Sequence, residues 1–566
     1  MSSSALLHHP TLSVKLLGKQ FRDSTTTQYR NLKYATVPGR WQDSVPLRNL
    51  KSHADLKTGV YNATAFGPSC PHKRGAQAWD VSLIGDVNLE TEPGQGVDEN
   101  MDEFECLHVN VTVPKGLNGK DPIPVFAWVH GGGLSMGSNS WPQYDLRRFV
   151  ERSVEIGKPI IGVSINYRTN VFGFLASKDI TSTGNYGYKD QVLAFLWIRE
   201  HIAGFCGDPN NVTAAGESAG GISLSTLLCA ELDPDKSLFD RVVIMSGEVS
   251  LRKPRGWRWH EEMYKDQSKY LNRDKSKTLG HSRLLMELGA EELAQRLPLA
   301  QHFCGLVDGV WLNTDGNIGV LGDGSNEVHK RHWCKDFVVG DTADDGTVLK
   351  GRILDNPAAL TRLQALCAQH LSKSEMAALF SAYNIPTQSS SSWSPPKDSR
   401  ELPQALRNLA SELRFYLPAL TVHSGWKAHH PHGRVGRYHF HLQNPINGTF
   451  HGLSSHELDV AFLLQNFNHY FDAHCQNAAK QMADHFIGFT NGEKWSADGG
   501  VVVFSDFSKA KKVQVFEEDD YDDIFRSGRG RVLRAIGAVK LWQIAEGWQE
   551  VRADIEDEHS RKVSRL

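Results

Sequence analysis

Short apolar runs that stop at glycines or polar residues recur through the first half of the chain: IPVFAWV ending at Val129, KPIIGVSINYR from Lys158, NVTAAG ending at Gly216, and RVVIMSG from Arg241. Each reads as a strand feeding a parallel sheet. Between the second and third, DQVLAFLWIREHIAGF carries its apolar residues at helical spacing. Strand, strand, helix, strand is the order of an α/β sheet, and that fold class is the expectation.

Farther along, the pattern changes. From about Glu261 to Arg331, and again from about Pro357 to Leu420, helix formers and charge dominate, interrupted by the low-complexity stretch QSSSSWSPP. These regions predict helical insertions laid over the sheet. Near the C-terminus, Leu533, Ile536, Leu541, Ile544 and Trp548 fall on one helical stripe within VLRAIGAVKLWQIAEGWQEV, which predicts a helix packed on its own domain. The acidic run EEDDYDDI, Glu517 to Ile524, reads as a solvated loop. No internal repeat is present.

Composition narrows the function classes. With 62 Lys plus Arg against 65 Asp plus Glu, the net charge is −3 in 566 residues, so no global field draws the protein to nucleic acid or to an anionic membrane. A small-molecule partner is expected. The first residues, MSSSALLHHPTLSVKLL, lack a basic segment followed by an unbroken apolar one, and no later run is apolar for a membrane helix's length;. The expectation is a soluble protein that is not secreted, with no transmembrane segment. Eight cysteines without C-x-x-C pairs suit neither a disulfide scaffold nor a zinc site. No metal or organic cofactor is expected.

Two motifs carry chemistry. Gly216-Glu217-Ser218-Ala219-Gly220 is a G-x-S-x-G between a predicted strand and a predicted helix. Its glycines permit the tight turn that lifts the central serine above a sheet as a nucleophile. Alone, the motif fits a helix-capping serine as well as it fits a nucleophile. His130-Gly131-Gly132-Gly133, following the strand that ends at Val129, matches a loop that supplies oxyanion-hole N–H groups. The candidate donors are Gly132, Gly133 and Ala219. Both motifs in this order favour that reading over two unrelated glycine turns.

The chain resembles the type-B carboxylesterase family of α/β-hydrolases, which includes cholinesterases, fungal lipases and bacterial esterases. The resemblance rests on LKYATVPGRW (32–41), ECLHVNVTVP (105–114), INYRTNVFGFLAS (165–177), the segment from Gly184 to Gly221, and FDRVVIMSG (239–247), and spans roughly Leu32 to Asn491. It implies an α/β-hydrolase fold: one domain over residues 1–566, with a short N-terminal arm and a C-terminal helix and tail. It also implies a triad in the order serine, acid, histidine. The family's acid precedes a glycine, which selects Asp345 in VVGDTADDG, with Asp344 and Asp341 as rivals. Most relatives carry glutamate there, and the shorter aspartate demands a closer loop. The family's histidine stands three residues before an acid and six before a phenylalanine, which selects His456 through Asp459 and Phe462 over His451.

The implied reaction is ester hydrolysis through an acyl-enzyme on Ser218, with His456 as base and acid, Asp345 orienting it, and an ester and water as partners. A lipase for longer-chain glycerides is the near alternative, although the segment between Cys70 and Cys106, where fungal lipases of the family carry a lid, is mostly polar. A non-catalytic binding homologue is the distant one, opposed by the retained Ser218. The family closes Cys70 and Cys106 as a disulfide in secreted members; here both the thiol and the bonded form stay open. Cys206 replaces a family glycine, and Leu134 stands where many members have an aromatic residue. The final Ser564-Arg565-Leu566 resembles the S-K-L peroxisomal address, so the expected location is cytoplasmic or peroxisomal. Oligomeric state is not legible.

Overall fold

The computed structural model describes residues 4–117, 119, 121–233, 235–271, 281–299, 301–330, 333–334, 336–386, 401–496 and 499–549. A 13-stranded sheet organises them. Its strands are β1 (Ser4–His9), β2 (Val14–Gln20), β3 (Thr26–Lys33), β4 (Val60–Ala63), β5 (His108–Pro114), β6 (Ile123–Val129), β7 (Ile161–Ile165), β8 (Gly207–Glu217), β9 (Arg241–Met245), β10 (Asp336–Thr342), β11 (Val435–Phe440), β12 (Val501–Phe504) and β13 (Val513–Phe516). The spatial order is β1-β2-β3-β5-β7-β6-β8-β9-β10-β11-β12-β13, with β4 beside β2. From β7 to β12 every pair is parallel. The flanks β1-β2-β3-β5-β7 and β12-β13 are antiparallel.

The expected α/β architecture is what the chain adopts, and the four apolar runs form β6, β7, β8 and β9. All of β7 and β9 is buried, as strands covered by helices on both faces require. Along β6 the period of two divides the core. Val125, Ala127 and Val129 face one cluster with Val163, Ile165 and Ala214, while Phe126 and Trp128 face another with Val243 and Met245;. Helix Tyr186–His201 follows β7 and helix Ala219–Cys229 follows β8.

Parallel register brings the strand ends level. Val129 pairs with Gly216, Glu217 with Met245, and Met245 with Gly340, so the loops after β6, β8, β9 and β10 emerge side by side. From β6 the chain crosses to β7 on one side and returns to β8 on the other. That reversal opens a crevice at the carboxyl ends of β6 and β8, where open α/β sheets place their ligands.

Three local expectations are corrected. The segment expected as an N-terminal arm supplies β1 and β2 at one end of the sheet. The acidic run is not a loop. Glu518–Arg526 is a helix with Glu518, Asp519 and Asp520 in its first turn, where the positive end of the helix dipole favours them. Its Tyr521 is buried and stacked on His439 at 4.4 Å. The C-terminal stripe forms two helices, Arg529–Ile536 and Ala538–Gln549, broken at Gly537 with φ 102°; its five apolar residues are all buried. QSSSSWSPP and Ser564-Arg565-Leu566 lie outside the described residues.

Candidate active site

Ser218 sits between the last residue of β8 and the first residue of helix Ala219–Cys229, at φ 52° and ψ −118°. A non-glycine residue in that region is strained and persists only where its surroundings enforce it. Here the Ser218 N–H donates to Met245 O at 2.9 Å, and Ser218 O accepts from the Ile222 N–H at 2.9 Å. The flanking glycine is a spatial need: a Cβ on Gly220 would stand 2.1 Å from Val129 O. No other residue fits between the turn and β6.

The loop after β6 packs onto this turn. A Cβ on Gly131 would lie 3.5 Å from the Ser218 Cβ. Gly132 and Gly133 take φ 95° and 60°. The Tyr167 hydroxyl donates to His130 O at 3.0 Å, and the two rings stack at 4.4 Å, which braces the loop. Ala219 opens its helix, so its N–H is one of those a helix leaves without an internal partner.

Asp345 is fully buried. Its Oδ2 accepts from the Thr342 N–H at 2.8 Å and the Ser246 hydroxyl at 2.9 Å, and its Oδ1 lies 2.7 Å from His456 Nδ1. Burial pushes its carboxyl above the usual carboxylate range, and the bond to His456 pulls it back. The reach of the shorter side chain is met by the backbone. Asp344 bridges Ser455, its N–H donates to Ser454 O at 2.9 Å, and its Oδ2 accepts from the Ser454 N–H at 3.0 Å. The acid loop and the histidine loop are thereby zipped together.

The rival residues are engaged elsewhere. Asp344 Oδ1 accepts from Arg407 Nε at 3.0 Å. Asp341 contacts His439 and Arg526. His451 Nδ1 lies 3.2 Å from Ile446 O. The His456 N–H donates to Thr347 Oγ1 at 3.1 Å, which fixes the imidazole's loop.

Sequence reasoning missed Asp80, Glu217 and Glu457 around His456 and took Asp459 only as a spacing mark. Its Nε2 lies 3.0 Å from Glu217 Oε1 without hydrogen-bond alignment. Tyr144 Oη lies 2.9 Å from Asp80 Oδ2 and 3.0 Å from Glu457 Oε1, and its single proton serves one at a time. The Tyr438 hydroxyl donates to Asp459 Oδ2 at 2.8 Å. Burial governs their protonation, with repulsion between acids added at Glu217, Glu457 and Asp459. Glu217 is held well above the carboxylate range by burial and by Glu457, Asp459, Asp345 and Asp80. Glu457 is raised likewise. Asp80 is pushed up to about 6 and Asp459 to about 7, burial being the largest cause in each. Glu217 and Glu457 were visible as neighbours of Ser218 and His456, but no spacing tied either to Asp80.

Ser218, His456, Gly132 and Gly133 line one pocket. Trp79 and Leu83 line it as well, so the segment between Cys70 and Cys106 lends apolar side chains despite its polar composition. All eight cysteines are free, and Cys70 Sγ accepts from the Thr169 N–H at 3.3 Å. Among the described residues no group of His, Cys, Asp and Glu is arranged to hold a metal ion, and no helix is long and apolar enough to cross a membrane.

Comparison with known proteins matches residues 11–521 to a family model described as "Carboxylesterase family". Lipase 3 of Yarrowia lipolytica is 33% identical over 257 residues, 45% of this chain and 49% of that protein. The para-nitrobenzyl esterase of Bacillus subtilis is 34% identical over 39% of this chain and 40% of its own length. The chain thus spans about half or less of the curated relatives it matches. A solved thermophilic PNB esterase superposes with a TM-score of 0.67 at 20% identity, covering 94% of this chain and all of that one, a likeness of α/β-hydrolase fold.

Proposed function

Because the chain belongs to the carboxylesterase family, we propose that it is a serine hydrolase of carboxylic esters, working through an acyl-enzyme on Ser218 within a single α/β-hydrolase domain. The observation that carries this reading is His456, held through Nδ1 by Asp345 at 2.7 Å while sharing a pocket with Ser218 and the paired glycines.

Ser218 Oγ attacks the ester carbonyl carbon as its proton passes to His456 Nε2. The oxyanion is held by the N–H groups of Gly132, Gly133 and Ala219, a contribution whose loss, one donor at a time, lowers kcat by about a hundred to a thousand fold. The bond to the alcohol breaks, and the alkoxide takes the proton from His456. Water then repeats both steps on the acyl-enzyme and releases the acid. Asp345 stabilises the imidazolium. Burial and the neighbouring acids hold the Glu217 carboxyl well above the usual carboxylate range, which weakens its competition with Ser218 for the imidazolium.

Hydrolysis of p-nitrophenyl esters of increasing acyl length, by the protein and by Ser218→Ala, tests the reading. Activity that disappears in the variant supports it. Equal rates in both proteins, or none in either, would transfer weight to a binding role. Rates that climb with long acyl chains would favour the lipase alternative, for which Trp79 and Leu83 in the pocket speak. The location, cytoplasmic or peroxisomal, rests on Ser564-Arg565-Leu566; a fluorescent fusion that leaves this tripeptide free distinguishes the two.

A further inference from the structure

His456 touches more than its triad partner. The Phe415 ring lies 5.5 Å from the imidazole, centroid to centroid, and is tilted 56° to it. Phe415 is buried and lines the pocket that holds Ser218 and His456. The reaction proposed above gives this ring no task.

Phe415 stands where a long helix changes pitch. Glu401–Ser411 and Leu417–His429 are α-helical, and Glu412–Tyr416 between them is wound as a single π-helical turn. Such turns are rare within α-helices and frequent at functional sites. Side chains on both sides of Phe415 pin this one. Glu412 pairs with Arg529 at 2.6 Å and accepts from the Tyr383 hydroxyl at 2.5 Å. Arg414 donates to Leu251 O at 2.6 Å and to Glu546 Oε1 at 2.7 Å. The Tyr416 hydroxyl donates to Glu518 Oε1 at 3.1 Å, and the Arg526 guanidinium lies 3.7 Å over the Tyr416 ring.

The same helical run meets the acid loop. The N–H of Gly346, the residue after Asp345, donates to Ser411 Oγ at 2.8 Å. A Cβ on Gly346 would stand 2.8 Å from both Ser411 Oγ and Arg407 O. Ser411 and Phe415 are four residues apart, so they share one side of the helix. One side therefore touches the loop of Asp345 and the ring of His456 together.

Asp345 grips the imidazole at a single atom, Nδ1. Hydrogen bonds weaken steeply only below about 120°, so that bond alone leaves the ring room to tilt. Tilting matters here, because Glu217 Oε1 lies 3.0 Å from Nε2. Groups that act in catalysis must be held to about 10–20° by packing as well as by hydrogen bonds. We propose that Phe415 is a positioning residue: its ring, set by the π-helical turn, packs on the His456 imidazole and keeps Nε2 directed to Ser218. The proposal rests on the reading of Ser218 as nucleophile for its effect on rate, and on the geometry alone for its effect on the imidazole.

Phe415→Leu removes the ring and keeps an apolar side chain in its place; a thermal melt verifies its fold, and Phe415→Met takes its place if it does not fold. With p-nitrophenyl acetate and p-nitrophenyl octanoate, kcat should fall about tenfold or more, by the same factor for both and with KM within about twofold, since a misplacement of about 1 Å costs up to about a hundredfold. Phe415→Tyr, which keeps the ring, should recover most of that loss. No loss, a loss confined to KM, or one that changes with acyl length overturns the proposal, because the ring would then meet the substrate or nothing. Proton NMR reads the imidazole without catalysis. The proton between His456 Nδ1 and Asp345 gives a far-downfield resonance, assigned by its loss in Asp345→Asn, and Phe415→Leu should broaden it and speed its exchange with water. An unchanged resonance likewise overturns the proposal. A protein that hydrolyses neither ester, yet whose resonance broadens in Phe415→Leu, sinks the Ser218 reading and upholds the positioning of His456.

Discussion

Asp344 and Ser455 pair as a parallel backbone bridge, and the pairing carries the next residue, Asp345, to within 2.7 Å of His456 Nδ1. The bridge replaces, in backbone, the methylene by which aspartate falls short of glutamate.

In the proposed triad, Asp345→Asn keeps the shape but loses the charge assigned to stabilise the imidazolium and select its tautomer. Steady-state hydrolysis of p-nitrophenyl butyrate should show kcat lowered roughly ten-thousandfold, as the corresponding change does in serine-protease triads. Asp345→Glu should also lose activity, because the zipped loops leave no room for an added methylene. A glutamate variant as active as the original would refute this account of the bridge.

Glu217→Gln replaces a carboxyl that burial and its neighbours hold well above the usual carboxylate range by a neutral group of the same shape. Its kcat/KM at neutral pH should remain within about threefold of the original. A loss of several orders of magnitude would mean that the carboxylate form is the working one.

Asp459 should make stability fall with pH. Its folded-state pKa of about 7 lies above the ordinary 3.8, so between those values the folded protein retains a proton that the unfolded chain has released. Stability from this group is present below the lower value and is lost as pH climbs through the upper one. Asp459→Asn removes the titration. Whatever the constant cost of altering the bonds from Tyr438 and from the Val460 N–H, Tm of the variant relative to the original should rise between pH 5 and pH 8. A constant difference across that range would contradict the shift.

Cys206 holds φ 68° at a family glycine. The left-handed region costs a residue with a Cβ about 1 kcal/mol, and part of the gain from glycine is returned as unfolded-chain entropy. Cys206→Gly should therefore leave denaturant stability unchanged or raise it by up to about 1 kcal/mol. A clear loss would show that the thiol contributes packing of its own.

What the sequence determined by itself is local. Gly220 must be glycine because Val129 O lies where a Cβ would be, and such a need is written at one position. The strands β6 to β9 are legible because burial on both faces demands continuous apolar runs. The tertiary structure decided what depends on convergence. Asp341, Asp344 and Asp345 are alike in type and adjacent in sequence, and only the register of β10 against β11 and the bridge to Ser455 brought one of them to His456. Asp80, Glu217 and the pair Glu457 and Asp459 come from three separate segments, and their raised pKa values exist only because folding removes water from all of them in one place. Trp79 and Leu83 entered the pocket from a polar segment, and the acidic run became a helix because Tyr521 found His439. Short-range sterics act on neighbours in the chain, whereas desolvation and charge act on neighbours in space, and the fold alone selects those.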